Sequence, residues 1–385
     1  MLLSSSVADA LKETLGSWGI WSAIFATIFV IGLGYFLAVK KIFKQGFEKV
    51  LIKAVMVVGL PALALNGFLS ETSVEKVTQE IVVLLVGFIF YLAMTFGAKV
   101  FFLKYEKDIQ DTLAMCTAFA STTFFGIPIV TALYGNDASI TSNIFNIPYR
   151  VFLYSLAFLI MSNKPMVATV VNKKKQKIKK TELSTEAIKQ QKELRIKTLK
   201  NIFANPILIA TFIGFVIWVT QLIPGIKCVS YGKEYFSPLR IDLLFPPIAK
   251  VLTTLQAICT PLAWLAIGMT MNNGNLKEAA KSKTLWYATF IKVIVAPLII
   301  LVIMILAGLI GWSSGLFKLT AIQLAVVVIM TAAPPASVVV SYAIAYDKGA
   351  LIASNLTTLS TLVSIITLPI WVVIVTAIGA LPIFG

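Results

Sequence analysis

Histidine is absent from the 385 residues, cysteine and arginine occur three times each, and charged residues make up only 13% of the chain. Each shortage removes a class of function. With no histidine, and none of the 17 Asp or Glu near the middle of an apolar stretch, the usual intramembrane proton relays and cation-binding carboxylates are missing. Cys116, Cys228 and Cys259 follow no metal-site or disulfide spacing, so neither a metal nor a cofactor is expected. Nothing resembles a nucleotide-binding loop, and no polar stretch is long enough to hold an ATPase domain. A charged fraction near half the globular norm speaks against a soluble fold.

What is present is apolar sequence. Hydrophobic residues reach 58% and the mean hydropathy is +0.90, which predicts an all-α integral membrane protein. About 20 apolar residues are needed to cross roughly 30 Å of hydrocarbon. Ten such stretches occur, at about 19–39, 50–69, 81–103, 112–134, 140–162, 203–223, 246–271, 285–310, 317–343 and 350–379. The first 18 residues are polar and weakly amphipathic, unlike a basic segment feeding a cleavable apolar core.

The net charge of +16 would suit nucleic acid if it lay on one soluble face, but it is spread over the loops. Segments after stretches 1, 3, 5, 7 and 9 hold 24 Lys or Arg against 9 Asp or Glu, and the opposite ends hold 7 against 8. The positive-inside rule then predicts cytoplasmic odd loops and two extracytoplasmic termini. The loop from Ser162 to Lys200, with 12 basic and 3 acidic residues and the run KKKQKIKK at 173–180, reads as a solvated orienting loop drawn to anionic headgroups. No nucleic-acid partner is expected; the bilayer is one partner, and a second copy of the chain, as a homodimer, is another candidate. Only three of the 33 basic residues are Arg, a bias that hints at an AT-rich bacterial genome and hence a bacterial plasma membrane.

Three units follow: residues 1–162 as one five-span repeat, 163–200 as a basic cytoplasmic loop, and 201–385 as a second repeat. An odd number of spans inserts the second repeat upside down. Internal matches agree with this duplication. FASTTFFGIPIVTALYGNDASITSN at 119–143 registers on MTAAPPASVVVSYAIAYDKGALIASN at 330–355, so Tyr134, Ile140, Ser142 and Asn143 fall 212 positions ahead of Tyr346, Ile352, Ser354 and Asn355. Pro61 likewise falls opposite Pro261.

Several segments, taken in order, resemble the auxin efflux carrier family, which includes bacterial malate and malonate permeases. They are VGLPALALNGFLS, STTFFGIPIVTALYG, NPILIATFIGFVIW, PLAWLAIGMTM, KVIVAPLIILVI and AAPPASVVVSYAIAYDKGALIASNLTTLSTLVSIITLP. The resemblance implies ten transmembrane helices in two inverted five-helix repeats, broken spans 4 and 9 that cross, and elevator-like carriage of organic anions. One departure stands out. Ser121, Thr122 and Thr123 occupy the place of the family's Asn-x-Gly, so hydroxyls would have to replace that amide.

The residues themselves point the same way. Paired interruptions in matching halves mark a transporter's binding site, because irregular backbone at membrane depth is tolerated only along a cavity. Gly126, Pro128, Pro334 and Pro335 are the expected helix breaks. Free N–H groups at the start of each second half-helix favour a carboxylate, and Ser121, Thr122 and Thr123 offer hydroxyls. Asn143, Asn146 and Arg150 share a helix face at i, i+3 and i+7, and Asn355 and Thr358 stand at the matching places of the second repeat. Arg150 at mid-span is the strongest candidate for an anion ligand; otherwise it caps freed carbonyls or pairs with Asp111 or Asp137. Lys292 is read as snorkelling to the cytoplasmic headgroups. The expected activity is secondary transport of small mono- or dicarboxylates such as malate, malonate or lactate, by uniport or exchange. A sodium- or proton-coupled carrier on the same scaffold, and a membrane scaffold with a partner-binding loop, are the alternatives.

Overall fold

The computed structural model describes residues 12, 16, 18–44, 46–162, 205–231, 234–272 and 276–384. The basic run at 173–180 lies outside them. Apolar runs without helix-breaking interruptions fold as helices because a backbone away from water must satisfy its own polar groups. In chain order they are α1 Trp18–Val39, α2 Phe47–Ala54, α3 Leu60–Phe68, α4 Val74–Gly97, α5 Lys107–Ala118, α6 Ile127–Phe152, α7 Phe158–Ser162 and α8 Pro206–Thr220. After a hairpin pairing Val229–Tyr231 with Glu234–Phe236 come α9 Ile241–Leu244, α10 Pro246–Ala257, α11 Cys259–Met271, α12 Leu276–Lys281 and α13 Lys283–Phe290. The last four are α14 Ala296–Ser314, α15 Ala321–Ala332, α16 Ser337–Ala345 and α17 Ala350–Gly379.

Among the described residues six helical runs are long and apolar enough to cross a membrane, against the ten stretches expected: Phe47–Phe68, Val74–Phe102, Thr122–Ser162, Pro246–Met271, Lys283–Ser314 and Ala350–Gly379. The shortfall has local causes. Thr122–Ser162 is one run of 41 residues, roughly 60 Å at 1.5 Å per residue and about twice the hydrocarbon thickness. Gly135 breaks its helical path at φ 67, ψ −147, a conformation that needs the missing Cβ. The stretch expected at 317–343 is split between α15 and α16, and the one at 203–223 yields the 15-residue α8.

Proline is absorbed by a recurring device. Turns of π-helix at Val55–Gly59, Thr122–Gly126 and Ile291–Val295 each end two residues before a proline, Pro61, Pro128 and Pro297. A proline removes one donor and crowds the carbonyl four residues back, and a wider turn there relieves the clash without ending the helix. A fourth π turn, Leu153–Ala157, has no such proline.

The distribution of polarity is that of a protein in lipid. Phe25, Leu85, Ile89, Phe96, Phe212 and Ile310 are exposed, while Thr122, Asn143, Asn146, Arg150 and Lys292 are buried. Helices approach closely where glycine permits it: a Cβ on Gly268 of α11 would stand 1.9 Å from the Ile31 carbonyl oxygen of α1, and one on Gly34 of α1 would stand 2.3 Å from that of Leu265.

Candidate functional site

Two helix breaks meet at the centre of the site. α5 ends at Ala118, the chain runs extended through Phe119, and α15 likewise ends at Ala332 ahead of an extended stretch to Ala336. The stretches pair as an antiparallel bridge between Ala120 and Pro335. Ser121 N–H donates to Pro334 O at 2.7 Å, and Ala336 N–H donates to Phe119 O at 2.9 Å. Backbone groups lost to each helix are thereby satisfied by the other, as burial requires.

Pro334 and Pro335 sit in their break as expected. Gly126 and Pro128 do not: Gly126 closes the π turn Thr122–Gly126 and Pro128 is in the first turn of α6, so the break falls upstream at 119–121. First-turn proline is compatible with a helix because its N–H would be unpaired anyway. Gly126 is instead a contact glycine, since a Cβ there would meet Met330 Cγ at 3.0 Å and Cα at 3.2 Å.

The crossing also strands helix-terminal carbonyls, those of Thr117 and Thr331 among them. The donor four residues after Thr117 is Ser121 N–H, already given to Pro334, and the one after Thr331 would be Pro335, which has none. Lys292 fills both vacancies, its Nζ donating to Thr117 O and Thr331 O at 3.2 Å each. This corrects the snorkelling assignment. Lys292 is fully buried, and the π turn Ile291–Val295 that carries it faces the negative ends of α5 and α15 rather than the headgroups.

At the opposite ends, the second half-helices begin at Thr122 and Ser337 and leave their first N–H groups without intrahelical acceptors. Two small cavities flank these ends. One, of about 30 Å³, is lined by Ser121, Thr123, Tyr149, Arg150, Tyr154, Asn205 and Ser337 among others. The second, of about 70 Å³, is lined by Ser121, Pro334, Pro335, Ser337, Thr357 and Thr361 among others. On this measure a water needs about 10–15 Å³, so the first has room for about two, and neither accepts a dicarboxylate as it stands.

Arg150 carries the charge of the first cavity. It is 2% exposed, and neither Nη1 nor Nη2 has a hydrogen-bond partner among the described residues. The pairings considered for it do not form: Asp111 is engaged by Lys99 at 2.7 Å and Lys348 at 3.2 Å, and no salt bridge involves Asp137 among the described residues. Thr122 Oγ1 donates to Asn146 Oδ1 at 2.6 Å, tying the π turn to the helix that bears Arg150. Asn143 turns back to Ser139 O at 2.8 Å and is one turn removed from the crossing. Asn355 and Thr358 line neither cavity: Thr358 bonds Ser354 O at 3.1 Å, and Asn355 is buried with Oδ1 unpaired. Thr357 and Thr361 of the same helix take their place, on the neighbouring i, i+4 face.

One buried carboxylate was missed by the sequence reading because it precedes the third apolar stretch by a residue. Glu80 accepts from Thr141 Oγ1 at 2.6 Å and Gln323 Nε2 at 3.0 Å. It lines a polar cavity of about 190 Å³ with Lys76, Gln79 and Asp137.

Apolar groups outward, polar groups inward and a pair of broken helices joined at their breaks define an integral membrane transporter. The chain belongs to the auxin efflux carrier family: the profile of that family, described as "Membrane transport protein", matches residues 20–372. No curated protein matches the chain.

Proposed function

We propose that the protein is a secondary carrier of small organic anions, mono- or dicarboxylates such as malate, malonate or lactate, working by uniport or exchange. The carrying observation is electrostatic. Lys292 neutralises the negative half-helix ends, whereas Arg150, whose Nη atoms have no partner among the described residues, lies at the positive ends beside Ser121, Thr123 and Ser337. A site with two helix N-termini, a guanidinium and hydroxyls, and no carboxylate among the described residues, is complementary to a carboxylate ligand.

Ten crossings in two inverted five-helix units are the topology we propose for it. The breaks at 119–121 and 333–336, and the kink at Gly135 in a run twice too long for one crossing, support that count. The two cavities between the half-helix ends are too small for substrate, and the space of about 490 Å³ that Arg150 also borders is walled mostly by apolar side chains such as Phe212, Ile213 and Phe215; both features support entry by movement of one body against the other, as in elevator-type alternating access. A second reading, coupling to a proton or sodium, is favoured by Glu80 in its polar cavity.

Uptake into proteoliposomes from a panel of carboxylates at clamped membrane potential tests the proposal. Saturable uptake of at least one acid is expected, with no uptake of neutral or cationic analogues of the same size. Flux that stops when sodium is removed or the proton gradient is collapsed would select the coupled reading, and no carboxylate flux under any condition would defeat both.

A further inference from the structure

Lys292 is not needed to hold substrate in the reading above, yet it is placed with unusual care. It is 0% exposed, and its ammonium lies 3.2 Å from Thr117 O and 3.2 Å from Thr331 O, two of the carbonyls that the crossing deprives of their helical donors. Both belong to last turns of half-helices, where the dipoles present their negative ends. The Thr117 hydroxyl is buried with no partner among the described residues. Two stranded carbonyls and a hydroxyl, gathered at two negative helix ends, are the hard oxygen donors that a small cation takes.

We propose that this is a monovalent-cation site whose occupant is the protein's own ammonium group. The carrier brings a tethered counter-charge to the crossing in place of a co-transported ion, and shortening the tether opens the site to free sodium. The consequence for coupling rests on the transport reading, whereas the site itself does not.

The experiment uses purified full-length wild type, Lys292→Ala, Lys292→Ser and Lys292→Arg. Thermal midpoints are read while NaCl replaces choline chloride at constant ionic strength. The shortened variants should be less stable than wild type in choline and regain about 3 °C, saturably, by 100 mM sodium if the opened site binds sodium in the low millimolar range. Wild type and Lys292→Arg, whose site is filled, should show no sodium-specific shift. Equal midpoints in sodium and choline for both shortened variants would overturn the proposal. So would failure of both to reach the membrane folded in any salt, because the ammonium would then be a pin that no free ion replaces.

A transport arm separates this inference from the functional one. Carboxylate flux by wild type should be unchanged in choline, while Lys292→Ala should lose at least tenfold of its flux without sodium. A wild type that needs sodium overturns the tethered-cation proposal and leaves carboxylate transport standing. No flux from either protein, with the sodium-dependent midpoint shift intact, removes the transport reading and leaves the cation site.

Discussion

Replacing Arg150 by methionine should make the protein more stable and unable to work. Both Nη atoms are buried without a partner among the described residues, and an unsatisfied buried polar group costs about 1–3 kcal/mol, more when charged. Methionine keeps the unbranched stem, fills irregular space and brings no polar atom. The expected gain is therefore about 1–3 kcal/mol, which in a chain of this size is an upward shift of a few degrees in thermal midpoint. Carboxylate uptake should fall to background in the same preparation, because the fixed positive charge of the cavity is gone. Arg150→Gln should also nearly abolish uptake, and Arg150→Lys should retain part of it, since an ammonium supplies charge without the two parallel donors of a guanidinium. Midpoint, expression and uptake are measured together on each variant. A fall of several degrees in Arg150→Met would refute the reasoning, as it would mean that the guanidinium holds the fold together. Full uptake by a folded Arg150→Gln protein would place the binding charge elsewhere.

Three further outcomes are expected. Asn146→Ala removes the acceptor of the Thr122 hydroxyl and should weaken apparent substrate affinity by roughly 2- to 10-fold, the range of about 0.5–1.5 kcal/mol for one neutral hydrogen bond; Asn143→Ala, a turn away, should do less, and a larger effect at Asn143 would contradict the geometry. Gly268→Leu should leave little monodisperse protein on size-exclusion chromatography, because even its Cβ would stand 1.9 Å from the Ile31 carbonyl oxygen and overpacking costs about 1–3 kcal/mol or more; normal yield would show that α1 and α11 separate freely. Ser184→Cys should resist impermeant thiol labelling in intact cells above the level given by Cys228, as the charge asymmetry places that loop inside; strong labelling would invert the topology.

Much of this was legible in the residues. Apolar length and loop charge are local properties that led to a helical membrane protein, and proline, equally local, marked the break at Pro334 and Pro335. Arg150 stood out because a mid-span guanidinium is rare on energetic grounds. What stayed hidden depends on contact between distant segments. The first break was expected at Gly126 and Pro128, but its position is fixed by where Phe119 and Ser121 find backbone partners more than 200 residues away. Lys292 was misread for the same reason: nine residues beyond Lys283, a snorkelling lysine and a buried one look alike until the stranded carbonyls of Thr117 and Thr331 are seen around it. On α17 the polar residues repeat so densely that spacing alone did not distinguish the face with Asn355 and Thr358 from the one with Thr357 and Thr361.

The two breaks pair with each other through main-chain atoms, from Ser121 to Pro334 and from Ala336 to Phe119. Those bonds do not depend on which side chains Ser121, Thr122 and Thr123 carry. Side chains at 121–123 can therefore be exchanged, hydroxyls for amides or glycines, while the frame that presents them persists. A scaffold fastened in this way is suited to diversify, and the Ser-Thr-Thr found here is one setting of a dial whose axle is the backbone.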